Sequence, residues 1–303
     1  MFFVPVMLVW LRLLLLKHVK KPPSPLMGEG RGEGEFRMKK NIFITGASAG
    51  IGKATAITFA KQGWLVGAVD VDKTGLERLQ ELIGEDHYFD EMDVTDTDKV
   101  EHVLSDFCKN TDGKLTSLFN NAGLLAVDPF EKVSIEKHQA ILDVNIKGVM
   151  NCTYKAFPFL KRSEGASVIN MSSVSANYGI PSLATYSGSK FFIRGLTEAL
   201  NVEWEQYNIH VCDIMPNFVN TPMVDNVAGK IVDNVGVHLT AQDVADTVWK
   251  AAHKKRLHWP VDRLGYRLLQ KVVPMTPNKL NRFILKNLSG YSKECNSKHS
   301  ESV

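Results

Sequence analysis

The chain has 303 residues, of which 44% are hydrophobic and 23% are charged, a composition typical of a soluble globular protein. Its formal net charge of +3 gives no reason to expect a nucleic acid partner. The four cysteines are far apart, and the histidines show no metal-ligand spacing, so neither a disulfide framework nor a metal site is expected. Scattered thiols of this kind fit a reducing cytoplasm.

The first 37 residues differ in character from the rest. Residues 1–16 are apolar except for Arg12, a run shorter than the roughly 20 residues of a spanning helix. Residues 22–35 are rich in proline, glycine and charges, and no signal-peptide pattern is present. We interpret residues 1–37 as a non-native or unstructured extension, with Met38 as the true start. A short membrane-associated anchor is the alternative.

A glycine-rich turn follows the first strand that we predict after Met38. Residues 42–45 are apolar, Gly46-Ala47-Ser48-Ala49-Gly50-Ile51-Gly52 comes next, and residues 53–62 predict a helix. Glycines let the backbone approach a pyrophosphate, and a helix N-terminus offers free N–H groups and a positive dipole end. Because the turn lies between a strand and a helix, it predicts a phosphate site.

An acidic residue ends the second predicted strand, residues 64–69. Asp70 lies 24 residues after Gly46, near the ~20-residue offset expected of a carboxylate that binds the adenosine ribose hydroxyls. A carboxylate there repels a 2′-phosphate, and Ala49 leaves the turn without a basic residue. We therefore expect NAD as the cofactor. NADP is the alternative, because Lys73 could contact its phosphate.

Strands and helices continue to alternate along the chain. Residues 87–92 and 115–119 predict strands, residues 97–109 predict a helix, and Asn120 to Gly123 closes the later strand. This alternation predicts an α/β fold, a Rossmann-type doubly wound parallel sheet with helices on both faces in a single domain. The polar residues at the strand ends are then expected to meet at the ligand-binding edge of the sheet.

A tyrosine and a lysine share one face of a later predicted helix. Tyr186 and Lys190 are four residues apart in a stretch with helical apolar spacing, although such a pair also occurs by chance. A phenol has a pKa near ~10, and an ammonium one turn away lowers it. Ser173, thirteen residues before Tyr186, follows a predicted buried strand. Its hydroxyl could hold a substrate oxygen while the tyrosine moves the proton.

These motifs together resemble the short-chain dehydrogenase/reductase family of the common single-domain type. They occur in the family's order over residues 41–223, as Thr45 to Gly52, Asp93-Val94, Asn120 to Gly123, Asn145, Ser172-Ser173, Tyr186 to Lys190, and Pro216-Asn217 with Thr221. The resemblance implies an NAD(P)(H)-dependent oxidoreductase that interconverts a secondary alcohol and a ketone, or reduces a carbonyl group, in a small-molecule substrate. A dinucleotide-binding regulatory protein and a membrane-docked protein on the same fold are the alternatives.

The resemblance also implies a role for each matching residue. Tyr186 resembles the general acid/base, Lys190 the residue that lowers its pKa and binds the nicotinamide ribose, Ser173 the substrate-orienting hydroxyl, and Asn145 the holder of a relay water. The cofactor-binding positions implied are Gly46, Ser48, Gly50, Ile51, Gly52, Asp70, Asp93, Val94, Asn121, Ala122, Gly123, Val219 and Thr221, with Tyr186 and Lys190. Asn217 replaces the family's usual glycine, and we interpret it as a change in substrate fit.

The C-terminal part of the chain is strongly basic. Residues 250–303 carry twelve Lys and Arg against three acids, and interleaved apolar residues predict two amphipathic helices broken by Pro274 and Pro277. We expect a domain over 38–260 with a substrate lid at about 225–239, a capped helix over 240–253, and a basic extension over 261–303. The extension is expected to pack on the domain. Contact with an anionic membrane or an acidic substrate carrier is the alternative.

Two long predicted helices, residues 135–157 and 183–207, carry more apolar residues than one sheet can cover. The residues concerned are Val149, Met150, Phe157, Phe192, Leu196, Leu200 and Trp204. Large exposed apolar patches are usually partner surfaces. In proteins that the chain resembles, these helices pair with their copies across a two-fold axis. We therefore expect a homodimer, or a homotetramer built from it.

Overall fold

The computed structural model describes residues 39–225, 230–261 and 277–291. Nine strands lie in these ranges: β1 (Asn41–Thr45), β2 (Leu65–Asp70), β3 (Tyr88–Glu91), β4 (Ser117–Asn120), β5 (Ser167–Met171), β6 (His210–Pro216), β7 (Val219–Asn220), β8 (Leu239–Thr240) and β9 (His258–Val261). Seven of them form one parallel sheet in the order β3-β2-β1-β4-β5-β6-β9. The strands β7 and β8 form a separate parallel pair. The interpretation of residues 1–37 lies outside the described residues.

Helices connect the strands of the parallel sheet. They are α1 (Gly50–Lys61), α2 (Lys73–Ile83), α3 (Thr97–Lys109), α4 (Ile135–Leu142), α5 (Val149–Leu160), α6 (Ala184–Glu203), α7 (Pro222–Asp225), α8 (Lys230–Val235), α9 (Ala241–Ala251) and α10 (Asn278–Leu288). The chain builds outward from β1 to β3, returns to β4, and then builds outward in the other direction. The predicted doubly wound Rossmann-type sheet is confirmed, and its order reverses between β1 and β4.

The sheet is buried on both faces, and β1 shows how one strand supplies both cores. Ile42 and Ile44 pack in a cluster with Phe59 of α1, whereas Phe43 packs on the other face with Phe107 of α3. Successive side chains of a strand point to opposite faces, so a strand covered on both sides is apolar throughout. This explains why the central strands appear in the sequence as continuous apolar runs.

The predicted long helix over residues 135–157 is interrupted by one wider turn. Residues Asp143–Gly148 form a π-helical segment between α4 and α5. Gly148 lies against Val94, where an added Cβ would come within 2.4 Å of a valine methyl carbon. Wide turns of this type occur mostly as single insertions and are frequent at functional sites. Here the insertion brings Asn145 into the interior, where its side chain is 1% exposed.

The C-terminal third differs most from the sequence expectation. The predicted cap of α9 is present, since the side chain of Thr240 accepts a hydrogen bond from the backbone of Asp243 in a capping box. The strand β9 was not predicted, and it carries the sheet one residue past the expected domain end at 260. Of the expected lid, residues 230–235 form α8 and Asp225 is the last residue of α7, while residues 226–229 lie outside the described residues.

The basic extension is described only in part. The first of its two predicted amphipathic helices falls in residues 262–276, outside the described ranges, whereas α10 begins directly after Pro277. In the ranges that the structure describes, no helix is both long and apolar enough to span a bilayer.

Candidate active site

A cleft of about 360 Å³ opens at the carboxyl ends of the parallel strands. It lies where the strand order reverses, the position at which doubly wound sheets bind ligands. Fourteen of the predicted site residues line it: Gly46, Gly50, Ile51, Asp70, Asp93, Val94, Asn121, Ala122, Gly123, Ser173, Tyr186, Lys190, Val219 and Thr221. The other predicted residues, Ser48, Gly52 and Asn145, lie just behind the lining and support it.

The glycine turn is packed too tightly for side chains. Gly46 has a left-handed φ of +67°, which favours glycine, and an added Cβ at Gly52 would lie 2.0 Å from the carbonyl oxygen of Gly46. The side chain of Asn121 donates hydrogen bonds to the carbonyl oxygens of Thr45 (3.0 Å) and Gly46 (2.9 Å). The close approach of Gly46 and Gly52 and the hydrogen bonds from Asn121 therefore both hold the turn in its conformation.

The same turn presents unpaired donors to the cleft. Helix α1 starts at Gly50, its N-cap residue Ala49 makes no side-chain capping bond, and its first turn contains no acid. The first N–H groups of a helix have no partner within the helix, and with its dipole they favour an anion. The turn, which excludes a Cβ and offers these donors, fits the phosphates of a dinucleotide.

Asp70 fixes the position of the glycine turn relative to β2. One carboxylate oxygen accepts a hydrogen bond from the backbone N–H of Ser48 (2.9 Å), and the other accepts from that of Asp72 (3.1 Å). The carboxylate nevertheless lines the cleft. A ligand hydroxyl that reaches it would meet an acceptor that is already held in place.

Tyr186, Ser173 and Lys190 meet where β5 ends and α6 begins. Ser173 is the second residue after β5, and its Oγ accepts from the backbone N–H of Ser175 (3.2 Å). Lys190 lies one turn after Tyr186, with its Nζ 5.3 Å from the centre of the tyrosine ring. That Nζ donates to the carbonyl oxygen of Met171 (2.8 Å), which anchors the lysine to the end of β5.

Burial governs the titration of both side chains. Desolvation raises the pKa of Tyr186 to about 12, and a side-chain hydrogen bond with Ser173 opposes this rise. Desolvation also lowers the pKa of Lys190 to about 8. The sequence led us to expect a lower pKa for Tyr186 through Lys190, whereas in the folded chain desolvation is the larger effect. The phenol is thus a protonated group at neutral pH.

Asn145 links the loop after β4 to α6. Its Oδ1 accepts from the backbone N–H of Leu124 (2.7 Å), and its Nδ2 donates to the Leu124 carbonyl oxygen (3.0 Å) and to Ser189 Oγ (3.1 Å). Ser189 in turn donates to the carbonyl oxygen of Tyr186 (2.7 Å). Both N–H bonds of the amide are therefore engaged in positioning. The relay role that the resemblance implies for Asn145 stays a prediction.

Three residues of the site were not predicted. Thr45 Oγ1 accepts from the backbone N–H groups of Asn121 and Ala122, and its place beside Gly46 was the available signal. Ser189, between Asn145 and Tyr186, gave no signal in the sequence. Ser172 lines the cleft, and its buried Oγ has no hydrogen-bond partner within the described ranges. The thirteen-residue spacing to Tyr186 favours Ser173 over Ser172 as the substrate-orienting hydroxyl.

Asn217 occupies the position where the family usually has a glycine. Asn217 does not have a positive φ, so its backbone does not adopt the left-handed conformation that asparagine tolerates. Its Oδ1 accepts instead from the N–H of Phe218 (2.9 Å), and both residues line the cleft. The side chain that replaces the usual glycine is thus part of the cleft lining.

Comparisons with known proteins show the family to which the chain belongs. The family model for short chain dehydrogenases matches residues 40–231. A 3-oxoacyl-[acyl-carrier-protein] reductase of Thermotoga maritima is 35% identical over 196 residues, 63% of this chain and 78% of that protein. A serine 3-dehydrogenase of Agrobacterium fabrum is 33% identical over 231 residues, 73% of this chain and 91% of that protein.

A solved structure gives the same result. The crystal structure of a 3-ketoacyl-(acyl-carrier-protein) reductase from Brucella melitensis, complexed with NADH, superimposes with a TM-score of 0.68 at 30% identity. The match covers 74% of this chain and 96% of that one. The chain belongs to the short chain dehydrogenase family. The predictions of the family and of an oxidoreductase are thereby confirmed.

Proposed function

We propose that the protein interconverts a secondary alcohol and a ketone, with a nicotinamide dinucleotide as cofactor and Tyr186 as general acid/base. The observation that carries this proposal is the meeting of Tyr186, Ser173 and Lys190 in a cleft whose other end is the glycine turn. The relatives support it, since each is named for an oxidation or a reduction.

A bound nicotinamide dinucleotide supplies or accepts the hydride at the carbonyl carbon. In the reducing direction the phenol of Tyr186 donates its proton to the substrate oxygen, and its pKa of about 12 means that it holds this proton at neutral pH. Ser173 orients the same oxygen. The phenolate left on Tyr186 is stabilised by the ammonium of Lys190, whose pKa of about 8 lets it stay charged at neutral pH.

Asp70 supports NAD as the preferred cofactor, with NADP as the alternative. Its carboxylate lines the cleft at the end of β2 and is fixed by Ser48 and Asp72. A negative charge held in this position would repel a 2′-phosphate and accept hydrogen bonds from ribose hydroxyls. The solved Brucella melitensis relative, which was crystallised with NADH, is in line with this preference.

A screen of ketones and secondary alcohols with both cofactors tests this function. We expect turnover with NAD(H), and we expect Asp70→Ala to lower the ratio of kcat/KM for NADH over NADPH at least ~10-fold, because a repulsive charge is lost. Asp70→Asn removes the charge but keeps an oxygen that can accept the hydrogen bond from the N–H of Ser48, so it separates the two contributions of Asp70.

The matched control is Asp72→Ala. Asp72 caps α2 by accepting from the N–H of Gly75, and it does not line the cleft. This variant should lose stability without a change in cofactor ratio. Better turnover of the unmodified protein with NADPH would contradict our reading of Asp70. Dinucleotide binding without turnover of any ketone or alcohol would favour the regulatory binding protein.

The exposed side of α4 to α6 supports assembly into a homodimer, or a tetramer built from it. Met150 and Phe192 are exposed as predicted. In contrast, Val149 is buried, and the side chains of Phe157, Leu200 and Trp204 pack against the core. Further apolar side chains on these helices are also exposed: Ile135, Leu142, Tyr154, Phe191 and Val202. An apolar surface of this extent is typical of an interface between copies.

Light scattering on the chain beginning at Met38 measures this assembly. We expect a dimer or larger species at micromolar concentration, and a shift towards monomer in Tyr154→Glu, because Tyr154 is 77% exposed on α5. Leu82→Glu is the control, since Leu82 is exposed on α2, on another helix. A strict monomer at that concentration would remove the inference of a dimer.

A further inference from the structure

The substrate end of the cleft is bounded by an apolar wall, formed by Leu125, Ile180, Leu183 and Phe218. All four residues line the cleft and belong to one cluster that also includes the ring of Tyr186. They come from three separate parts of the chain: the loop after β4, the segment before α6, and the segment after β6. The apolar wall therefore lies beside the side chain that we propose as the general acid/base.

None of the charged side chains that line the cleft belongs to the wall. Among the described residues, those that line it are Asp70, Asp93 and Lys190. Asp70 and Asp93 follow β2 and β3, and Lys190 Nζ is bound to the carbonyl oxygen of Met171. The apolar wall itself therefore offers no opposite charge to a charged group on a substrate.

The rear of the apolar wall is closed by helices from the C-terminal third. Ile231 and Val232 of α8 are 4% and 8% exposed and pack in the same cluster, and Leu288 of α10 packs against it. Two hydrogen bonds hold these helices in place: Asn234 Nδ2 donates to the Leu288 carbonyl oxygen (2.8 Å), and the hydroxyls of Ser182 and Tyr291 lie 3.2 Å apart. The side chains of Ile231 and Val232 thus add buried apolar surface to the cluster that contains the wall.

We propose that this wall restricts the enzyme to ketones and secondary alcohols whose groups beyond the reacting carbon are uncharged and apolar. The inference rests on the proposed function and adds the class of substrate to it. Apolar surface gains free energy when it leaves water, whereas an ion placed against apolar side chains loses hydration and gains no partner. A ketone that carries a carboxylate or an ammonium at its far end is then a poor substrate.

Three methyl ketones of equal length test the wall. One ends in a methyl group, one in a carboxylate and one in an ammonium. With the full chain and a saturating cofactor, we expect kcat/KM for the neutral ketone to exceed that for each charged ketone at least ~100-fold. Equal values for the neutral and the charged ketones would overturn the proposal.

A change of charge in the wall provides the second arm. Leu125 is half-buried and lies in a loop, so Leu125→Arg can reach solvent when no ligand is bound. We expect this variant to raise kcat/KM for the carboxylate ketone at least ~10-fold relative to the neutral ketone. Leu125→Gln, which introduces an uncharged polar side chain close in size to leucine, should not produce this gain. An equal gain in both variants would overturn the role of charge. Thermal unfolding checks that both variants fold.

Calorimetric titration of the unmodified holoenzyme with the matched secondary alcohols separates this inference from the proposed function. Selective binding of the neutral alcohol without turnover would contradict the proposed chemistry and support the apolar wall. Equal affinity for the neutral and the carboxylate alcohols would overturn the wall, whatever the turnover.

Discussion

Tyr186→Phe is expected to lower kcat ~10²–10⁴-fold, the range typical of a lost general acid or base. The variant keeps the ring that packs in the cluster beside Ile180 and Leu183, and it removes only the hydroxyl that carries the proton. Ser173 and Lys190 then face a ring edge that has no proton to donate. The affinity for the dinucleotide, measured by titration, should stay close to that of the unmodified protein.

The matched control for this variant is Tyr207→Phe. Tyr207 packs edge-on against Phe157, outside the cleft, so its hydroxyl has no part in the chemistry. Steady-state kinetics should therefore separate the two variants by orders of magnitude. If Tyr186→Phe turned over at the unmodified rate, the proposed proton transfer would be wrong.

Gly52→Ala is expected to abolish tight dinucleotide binding, with an affinity at least ~100-fold lower. The new Cβ would lie 2.0 Å from the Gly46 carbonyl oxygen and 2.7 Å from Asn121 Nδ2, so the turn or α1 must move. Overpacking a tight contact typically costs 1–3 kcal/mol of stability as well. Calorimetric titration measures the affinity, and urea unfolding measures the stability.

The control for Gly52→Ala is Gly195→Ala. Gly195 lies in α6 with open space around the position of its missing Cβ. Alanine in an exposed helix position is more favourable than glycine by roughly 1 kcal/mol, so this variant should be as stable as the unmodified protein or more so. A Gly52→Ala protein with normal affinity and stability would show that the glycine turn tolerates a side chain.

Much of the fold could be predicted because its central strands are apolar throughout and are followed by polar or glycine residues. The runs before Gly46, Asp70 and Asn120 each correspond to a strand, and Thr97–Lys109 is a helix with the predicted bounds. The helix α3 was well marked because Asp96 caps it and its apolar residues lie on one face. Where the apolar spacing of a segment matches the face that it buries, the sequence is sufficient to predict the element.

The strand β9 was missed because its local pattern suggests no strand. It is four residues long, contains Pro260 and lies within a basic stretch. Proline is tolerated there because β9 is at the edge of the sheet, next to β6 alone. The side chain of Asp213 on β6, which is fully buried, is paired with His258 Nδ1 at 2.8 Å. The formation of β9 therefore depends on contacts between residues far apart in the chain.

The details of the candidate site were predicted unevenly for the same reason. The residue types and spacing of Tyr186, Lys190 and Ser173, together with the resemblance to the family, predict that these three residues belong to the site. The wide turn at Asp143–Gly148 depends on tertiary contacts of Asn145 with Leu124 and of Gly148 with Val94. The raised pKa of Tyr186 depends on its burial. The spacing of residues in the sequence predicts neither these tertiary contacts nor the extent to which a side chain is buried.

The apolar wall and the proton-transfer residues are built from different parts of the chain. Tyr186, Lys190 and Ser173 sit on one strand end and one helix, whereas the wall and its backing draw on loops and on the late helices α8 and α10. A lineage can therefore exchange a loop residue of the wall, such as Leu125, without changing the strand end and the helix that carry the proposed proton transfer. Substrate preference within such a family can therefore change through the residues that line the substrate region, while the residues proposed for proton transfer stay the same.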